Sequence, residues 1–259
     1  MRHIKPVVVV LVLVGIGGGV YYWRTLRPPE TPPATVKSTA APKPAIPSVR
    51  YPVPQPSVQA QKPLPPLDQS DSAILDALTG LFGRKSVEHL FITEDLVHRI
   101  VVAVDNLPRA KLPMRFQLFR PVSGRFLASG TDDNLAINPD NYRRYMPYVL
   151  LAESANSKTL VTTYIHYYPL FQKEYESLGY PHGYFNDRLV EAIDNLLATP
   201  KVVYPLKLIQ PNVLYQFQDP AVEALSAGQK ILLRMGPDNA ARIKAKLAKI
   251  RSELTNQSP

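Results

Sequence analysis

The distribution of apolar and polar residues divides the chain into four parts. Residues 7–23 are uncharged and apolar, with Lys5 before them and Arg24 after them. That length is close to the minimum that crosses a bilayer as a helix. Proline then dominates as far as residue 66, after which apolar residues recur as in a folded domain. The pattern predicts a tail at 1–6, a transmembrane anchor at 7–23, a disordered tether at 24–66 and one globular domain at 67–259.

Within the domain, most segments repeat apolar residues at helical spacing. Ser70 and Thr93 are candidate caps of two early helices, and a longer helix is predicted from Ser157 to Leu178. Further helices are predicted from Asn138, from about Tyr184 to Leu197, from Asp219 with a break at Gly228, and from Pro237. Short strands are predicted at 114–122, 126–127, 135–137, 202–204 and 213–217. The predicted fold class is mainly α with a minor antiparallel β-sheet (α+β), following a single-pass N-terminal transmembrane helix.

Two interpretations of the apolar run are open. A cleaved signal peptide has a similar layout, but it needs small residues at the cleavage site, and this run ends in the bulky aromatics at 21–23. Such aromatics favour the lipid–water boundary, so an uncleaved signal-anchor from Val7 to Trp23 is the preferred interpretation. Gly15 and Gly19 have the spacing that lets two membrane helices pack closely, so this face could form a homodimer. The other interpretation is that glycine is simply common in membrane helices.

Positive charge is concentrated outside the predicted domain. Eight of the 30 basic residues, but only one of the 21 acidic residues, precede residue 67. The domain is therefore nearly neutral, which argues against nucleic acid as a partner. Charge packed into the short tail favours a cytoplasmic tail, so we expect an inner-membrane protein whose domain is periplasmic in a Gram-negative cell. Basic residues also follow the apolar run, at Arg24 and Arg27, and could instead hold that flank on the cytoplasmic side. A cytoplasm-facing tethered adaptor is therefore an alternative.

The sequence predicts no catalytic residue, no metal site and no cofactor. The chain has no cysteine, which excludes disulfides and thiolate chemistry. Its sequence also lacks a glycine-rich phosphate loop, a glycine-flanked serine elbow and a zinc-binding helix motif.

A polar and aromatic loop follows the Ser157–Leu178 helix and offers the best candidate binding residues. Nine of the 14 tyrosines lie from residue 142 to 184, and tyrosine is suited to stacking on sugars or peptides. The proposed ligand-binding residues are Tyr180, His182, Tyr184, Asp187 and Arg188. The structural alternative is that the tyrosines fill the core, Asp187 caps a helix and Arg188 pairs with a carboxylate. A second hypothesis is that His182 and nearby carboxylates form the acid–base pair of an envelope glycan or peptide hydrolase. The simpler interpretation is that His182 is a solvated histidine in a loop.

Several runs of the domain also carry a family resemblance. They are residues 65–71, 104–109, 168–170, 178–181, 184–189, 197–200, 210–215 and 219–230. Together they resemble the bacterial family catalogued as domain of unknown function 3014. The resemblance implies a Gram-negative envelope protein with an N-terminal membrane anchor, and it implies no activity, fold or catalytic residue. We therefore expect a membrane-anchored periplasmic interaction module whose partners are membrane lipid and an envelope protein or peptidoglycan component.

Overall fold

The computed structural model describes residues 48–54, 63–131 and 134–256. The predicted anchor, with its Gly15 and Gly19 pair, and the rest of the predicted tether lie outside these ranges. Over the described ranges, the chain is mainly helical and contains two short antiparallel strand pairs, which confirms the α+β prediction at that level. In the same ranges, no helix combines the length and apolarity that a membrane span needs.

The helices and strands of the described residues follow in chain order. The helices are α1 (Asp71–Phe82), α2 (Arg84–Leu90), α3 (Leu96–Asn106), α4 (Asn141–Arg144), α5 (Met146–Ser154), α6 (Ser157–Ser177), α7 (Phe185–Leu197), α8 (Pro220–Glu223), α9 (Ala227–Arg234) and α10 (Pro237–Thr255). The strands are β1 (Ala128–Ser129), β2 (Ala136–Ile137), β3 (Leu208–Ile209) and β4 (Gln216–Phe217). Strand β1 pairs with β2, and β3 pairs with β4.

Helix α6 is the central element and contacts α1, α3, α7 and α10. The Asn156 side chain caps it by accepting hydrogen bonds from two N–H groups of its first turn. Its buried side chains include Val161, Phe171 and Tyr175, while Pro169 lies inside the helix. The prediction of a helix from Ser157 to Leu178 is therefore confirmed almost to the residue.

The entrance to α3 differs from the sequence prediction. Thr93 does not cap this helix; the carboxylate of Asp71 accepts hydrogen bonds from the N–H groups of Asp95 and Leu96, both at 2.8 Å. A cap supplied by another helix leaves no local sequence signal. Helix α2 was also not predicted, and Gly228 lies inside α9 instead of breaking a helix.

The predicted strand at 114–122 was wrong. The segment forms a 3-10 turn over Met114–Phe116 and one isolated bridge, between Phe91 and Phe119. Pro113 and Pro121 lie at its two ends, and proline cannot donate to a strand ladder. The predicted strand at 202–204 is likewise absent: pairing among the described residues of that region starts with an isolated bridge between Lys207 and Ala136, and β3 follows it.

Candidate functional site

Residues 48–54, which we call the strap, contact the N-terminal end of α7. Asp187, in the first turn of α7, accepts two main-chain hydrogen bonds: from the N–H of Arg50 at 2.9 Å and from the N–H of Tyr51 at 2.8 Å. The chain bends at residues 50 and 51, so that two successive N–H groups converge on one anion. The Asp187 carboxylate also lies near the positive end of the α7 dipole, where a negative side chain is stabilising.

Two further hydrogen bonds hold the strap by its main chain. The N–H of Val53 donates to the hydroxyl oxygen of Tyr184 at 2.7 Å, and the Asn186 amide donates to the carbonyl of Tyr51 at 2.8 Å. Asn186 is buried, and its own carbonyl oxygen accepts from the Tyr164 hydroxyl at 3.1 Å. Burial raises the pKa of the Tyr164 phenol, so it remains a donor. We call Tyr184, Asn186 and Asp187 the strap site.

Two side chains of the strap are half-buried against the domain. Tyr51 packs against the apolar cluster that contains Val161 and Val190, whereas Val53 packs against the cluster that contains Phe171. Pro52 lies between them and is exposed. The sequence placed residues 24–66 in a disordered tether; in the structure, this part of that segment is hydrogen bonded and packed against the domain.

A buried carboxylate gathers the other predicted polar residues. Asp105 in α3 is 5% exposed. It accepts from Arg188 at 3.1 Å and from Arg109 at 2.8 Å, and the Tyr180 hydroxyl lies 3.4 Å from it. The hydrogen bond to Asp105 raises the pKa of the Arg109 guanidinium, against the opposing effect of burial. Arg188 and Tyr180 are therefore occupied in an internal ion-pair group, as the structural alternative expected for Arg188.

The loop between α6 and α7 is packed closely enough to position Tyr184. The rings of Tyr175 and Tyr180 stack with centroids 4.5 Å apart. A Cβ atom on Gly183 would lie 2.7 Å from Tyr175 and 2.9 Å from Tyr180, so no larger residue fits without movement. Gln172 also donates to the carbonyl of Gly183 at 2.8 Å.

His182 stands apart from both groups. It is exposed, and among the described residues none forms a hydrogen bond or ion pair with it. The structure thus brings Tyr184 and Asp187 together on the strap, places Tyr180 and Arg188 on Asp105, and joins His182 to neither group. No cluster of histidine and carboxylate residues suited to a metal ion occurs in the described part of the chain.

A different histidine–carboxylate pair was missed by the sequence analysis. Nδ1 of His98 in α3 lies 2.7 Å from Oε1 of Glu174 in α6, and Phe116 packs edge-on against the imidazole with ring centroids 4.6 Å apart. Each residue sits on its own helix without a motif, so no sequence signal linked them. The pair joins α3 to α6, the two helices that support the loop before α7.

The structure also contains an open cleft that the sequence did not predict. It has a volume of about 540 Å³ and is lined by residues of α2, α4 and α5, including His89, Arg143 and Tyr148, and by Arg120, which precedes β1. Arg144, which also lines it, is occupied by hydrogen bonds to the carbonyls of residues 123 and 124. Arg143 is paired with Asp140 at 2.7 Å. The hydrogen-bond donors of two of the three arginines beside this cleft are therefore already occupied within the chain.

Comparisons with known proteins bear on the chain as a whole. A search of the curated proteins found no match, and a search of the solved structures found none. A family model described as "Protein of unknown function (DUF3014)" matches residues 96–251, which run from the start of α3 to the last turns of α10. The match covers the strap site and the Asp105 group, and it confirms the resemblance that the sequence runs indicated. The chain belongs to the DUF3014 family.

Proposed function

We propose that the chain is a membrane-anchored periplasmic binding module that recognises a peptide segment and catalyses no reaction. The strap site is the observation that carries this proposal. Its three side chains form four hydrogen bonds to main-chain groups of residues 50–53. Groups that satisfy the N–H and C=O of a passing segment recognise peptide as a chemical class, and neighbouring apolar contacts supply specificity. The anchor and its orientation rest on the residue pattern at 1–27.

The form of the strap defines the ligand class. Its N–H groups at 50 and 51 converge on one carboxylate, and the half-buried side chains Tyr51 and Val53 are two residues apart. A matching ligand is a bent peptide with an aromatic and an aliphatic side chain at that spacing. The strap is then an internal occupant, and an external peptide competes with it at the high local concentration that a tether gives.

The position of His182 favours binding over hydrolysis. A general base has to lie within hydrogen-bond reach of its partner, and the described residues provide no carboxylate to His182. Tyr184 and Asp187, by contrast, already contact main-chain groups. These main-chain contacts support the peptide-binding proposal, whereas His182 has no carboxylate contact among the described residues to support the hydrolase alternative.

Binding in trans tests the peptide proposal. We would replace residues 48–54 of the full chain by glycine and serine and add a fluorescent peptide with the native strap sequence. We expect saturable binding by fluorescence anisotropy, and loss of that binding when Asp187→Asn is added. A second peptide with serine in place of Tyr51 and Val53 is the specificity control. If the native peptide fails to bind the strap-replaced chain, the strap site is not a peptide-binding site.

Experiments in cells test the partner and the location. A photo-reactive residue at His182, which is exposed and two positions from Tyr184, should crosslink to an envelope protein. The same residue at exposed Ala248 on α10 serves as the matched control. Alkaline phosphatase fused to the carboxyl end should be active, because it folds actively only outside the cytoplasm. An inactive fusion would contradict the periplasmic location and favour the cytoplasm-facing adaptor instead.

A further inference from the structure

The β3–β4 hairpin exposes aliphatic side chains at its tip. Val213 is 86% exposed and Leu214 is 76% exposed; Val203, shortly before β3, is 90% exposed. Single exposed apolar residues are ordinary on protein surfaces, but adjacent ones at a projecting tip indicate a contact surface.

The base of this hairpin is well packed, so the tip is held outward. Leu208 and Phe217 face each other across the strand pair, and both are buried. Tyr215 packs against Phe126 with ring centroids 5.5 Å apart. Within the loop, the Gln210 amide donates to the carbonyl of Val213 at 3.1 Å. These contacts fix residues on both sides of the tip and leave Val213 and Leu214 in solvent.

The charge of this segment has one sign. No acidic residue occurs between Asp194 and Asp219, while Lys201 and Lys207 are both present and exposed. Lys207 donates its ammonium hydrogen to the amide oxygen of Asn134, a neutral acceptor, and so keeps its net charge beside the hairpin. Aliphatic residues at a tip with lysines behind them match the layers of an anionic bilayer surface, in which acyl chains lie beneath negative headgroups.

We propose that this hairpin inserts Val213 and Leu214 into the surface of a bilayer that contains anionic lipid. The composition of the tip favours lipid over a protein partner, because the residues that dominate protein interfaces are tryptophan, tyrosine and arginine. The predicted anchor at 7–23 would keep such a bilayer within reach of the domain. This contact is separate from peptide binding at the strap site, so either one can fail without the other.

The absence of cysteine from the chain allows one site-specific probe. We would label the full chain, carrying Asn212→Cys, with an environment-sensitive fluorophore and add vesicles of phosphatidylcholine, with or without phosphatidylglycerol. We expect a blue shift and higher emission with the anionic vesicles, and quenching by spin labels attached to the lipid acyl chains. The same label at Ala248→Cys should not respond. The predicted anchor can itself bring the chain to vesicles, so the probe at residue 212, and not total binding, reports on the hairpin.

Two sets of substitutions separate the apolar and electrostatic contributions. Val213→Ser with Leu214→Ser should lower the affinity of the hairpin for the bilayer by about 100-fold, because each lost aliphatic side chain accounts for roughly tenfold. Lys201→Gln with Lys207→Gln should remove the preference for anionic vesicles. Both pairs are exposed, and circular dichroism should confirm an unchanged fold. Equal responses at residues 212 and 248, or a response unaffected by the serine substitutions, would overturn the proposal.

Discussion

Replacing Asp187 by asparagine tests how the strap is held. The carboxylate offers one oxygen to each N–H group, of Arg50 at 2.9 Å and of Tyr51 at 2.8 Å. An asparagine keeps one oxygen acceptor and presents an NH₂ donor in place of the other. One of the two N–H groups therefore loses its partner and faces another donor, while the size of the side chain is unchanged.

The magnitude follows from the kind of bond that is lost. Hydrogen bonds to a charged group contribute about 1.5–3 kcal/mol each. The site is only partly buried, and water can partly replace the lost acceptor, so we expect about 2 kcal/mol. That energy corresponds to a change of about 30-fold in the ratio of undocked to docked strap.

Trypsin cleavage after Arg50 measures this ratio. The Arg50–Tyr51 bond lies within the docked strap, so its cleavage follows the undocked population when opening is fast. Cleavage after Lys37, in the tether predicted from sequence, gives an internal reference. We expect Asp187→Asn to increase the relative cleavage rate at Arg50 by about 30-fold. Urea unfolding of the same variant shows whether the domain itself remains folded under the assay conditions.

Asp238→Asn is the matched control. Asp238 also lies in the first turn of a helix, α10, and is exposed. Both substitutions remove a charge that interacts with a helix dipole, about 0.3–1 kcal/mol, but only one of them removes a strap acceptor. Equal effects of the two substitutions on cleavage at Arg50, or no effect of either, would refute the assigned role of Asp187.

Further predictions concern stability, measured by urea unfolding. Asp105→Asn should destabilise the domain by about 1.5–3 kcal/mol, because it removes the charged acceptor that Arg109 and Arg188 share, while Arg188 keeps its ion pair with Glu191 at 2.9 Å; a loss under 1 kcal/mol would contradict the ion-pair assignment. Gly228→Ala should destabilise by about 1–3 kcal/mol, because its Cβ would lie 2.6 Å from a leucine methyl. A Cβ atom on the exposed helix residue Gly80 would meet nothing within 4 Å, so Gly80→Ala should stabilise the domain by about 1 kcal/mol. A Gly228→Ala variant more stable than the Gly80→Ala variant would contradict both predictions. Burial raises the pKa of the Tyr164 and Tyr168 phenols above that of the unfolded chain. The stability that depends on the neutral phenols should therefore be complete below about pH 10 and decline above it, and Tyr168→Phe should weaken this dependence.

Helices with local signals at both ends could be predicted from the sequence. The apolar stripe from Ser157 to Leu178 predicted α6, and the Asp219–Pro220 pair predicted α8, whose first turn Asp219 caps. These signals lie within a few residues of the element they define. The cap of α3 could not be found in this way, since its acceptor, Asp71, lies 24 residues before Asp95.

The strap shows even more clearly that contacts between residues far apart in the chain cannot be predicted from local sequence signals. Its proline content and few large apolar residues predict disorder, yet its position depends on a carboxylate 136 residues further along the chain. Tyr184 and Asp187 were correctly placed near one another, because both belong to a short loop and helix start. What they contact could not be predicted, since the main-chain N–H groups of residues 50–53 carry no sequence signature.

Three of the runs that carry the family resemblance meet at one structural junction. Asp105, from residues 104–109, pairs with Arg188, from residues 184–189. The N–H of Gly228, from residues 219–230, donates to the carbonyl of Leu107 at 2.9 Å. This junction fixes the start of α7, and Asp187 precedes Arg188 there. Substitutions in the junction should therefore weaken the strap indirectly and lower the stability of the domain together with it. Asp187→Asn should instead lower the free energy of unfolding by no more than the about 2 kcal/mol that strap docking loses. Comparing cleavage at Arg50 with urea unfolding therefore distinguishes a residue that binds the strap from one that positions the helix.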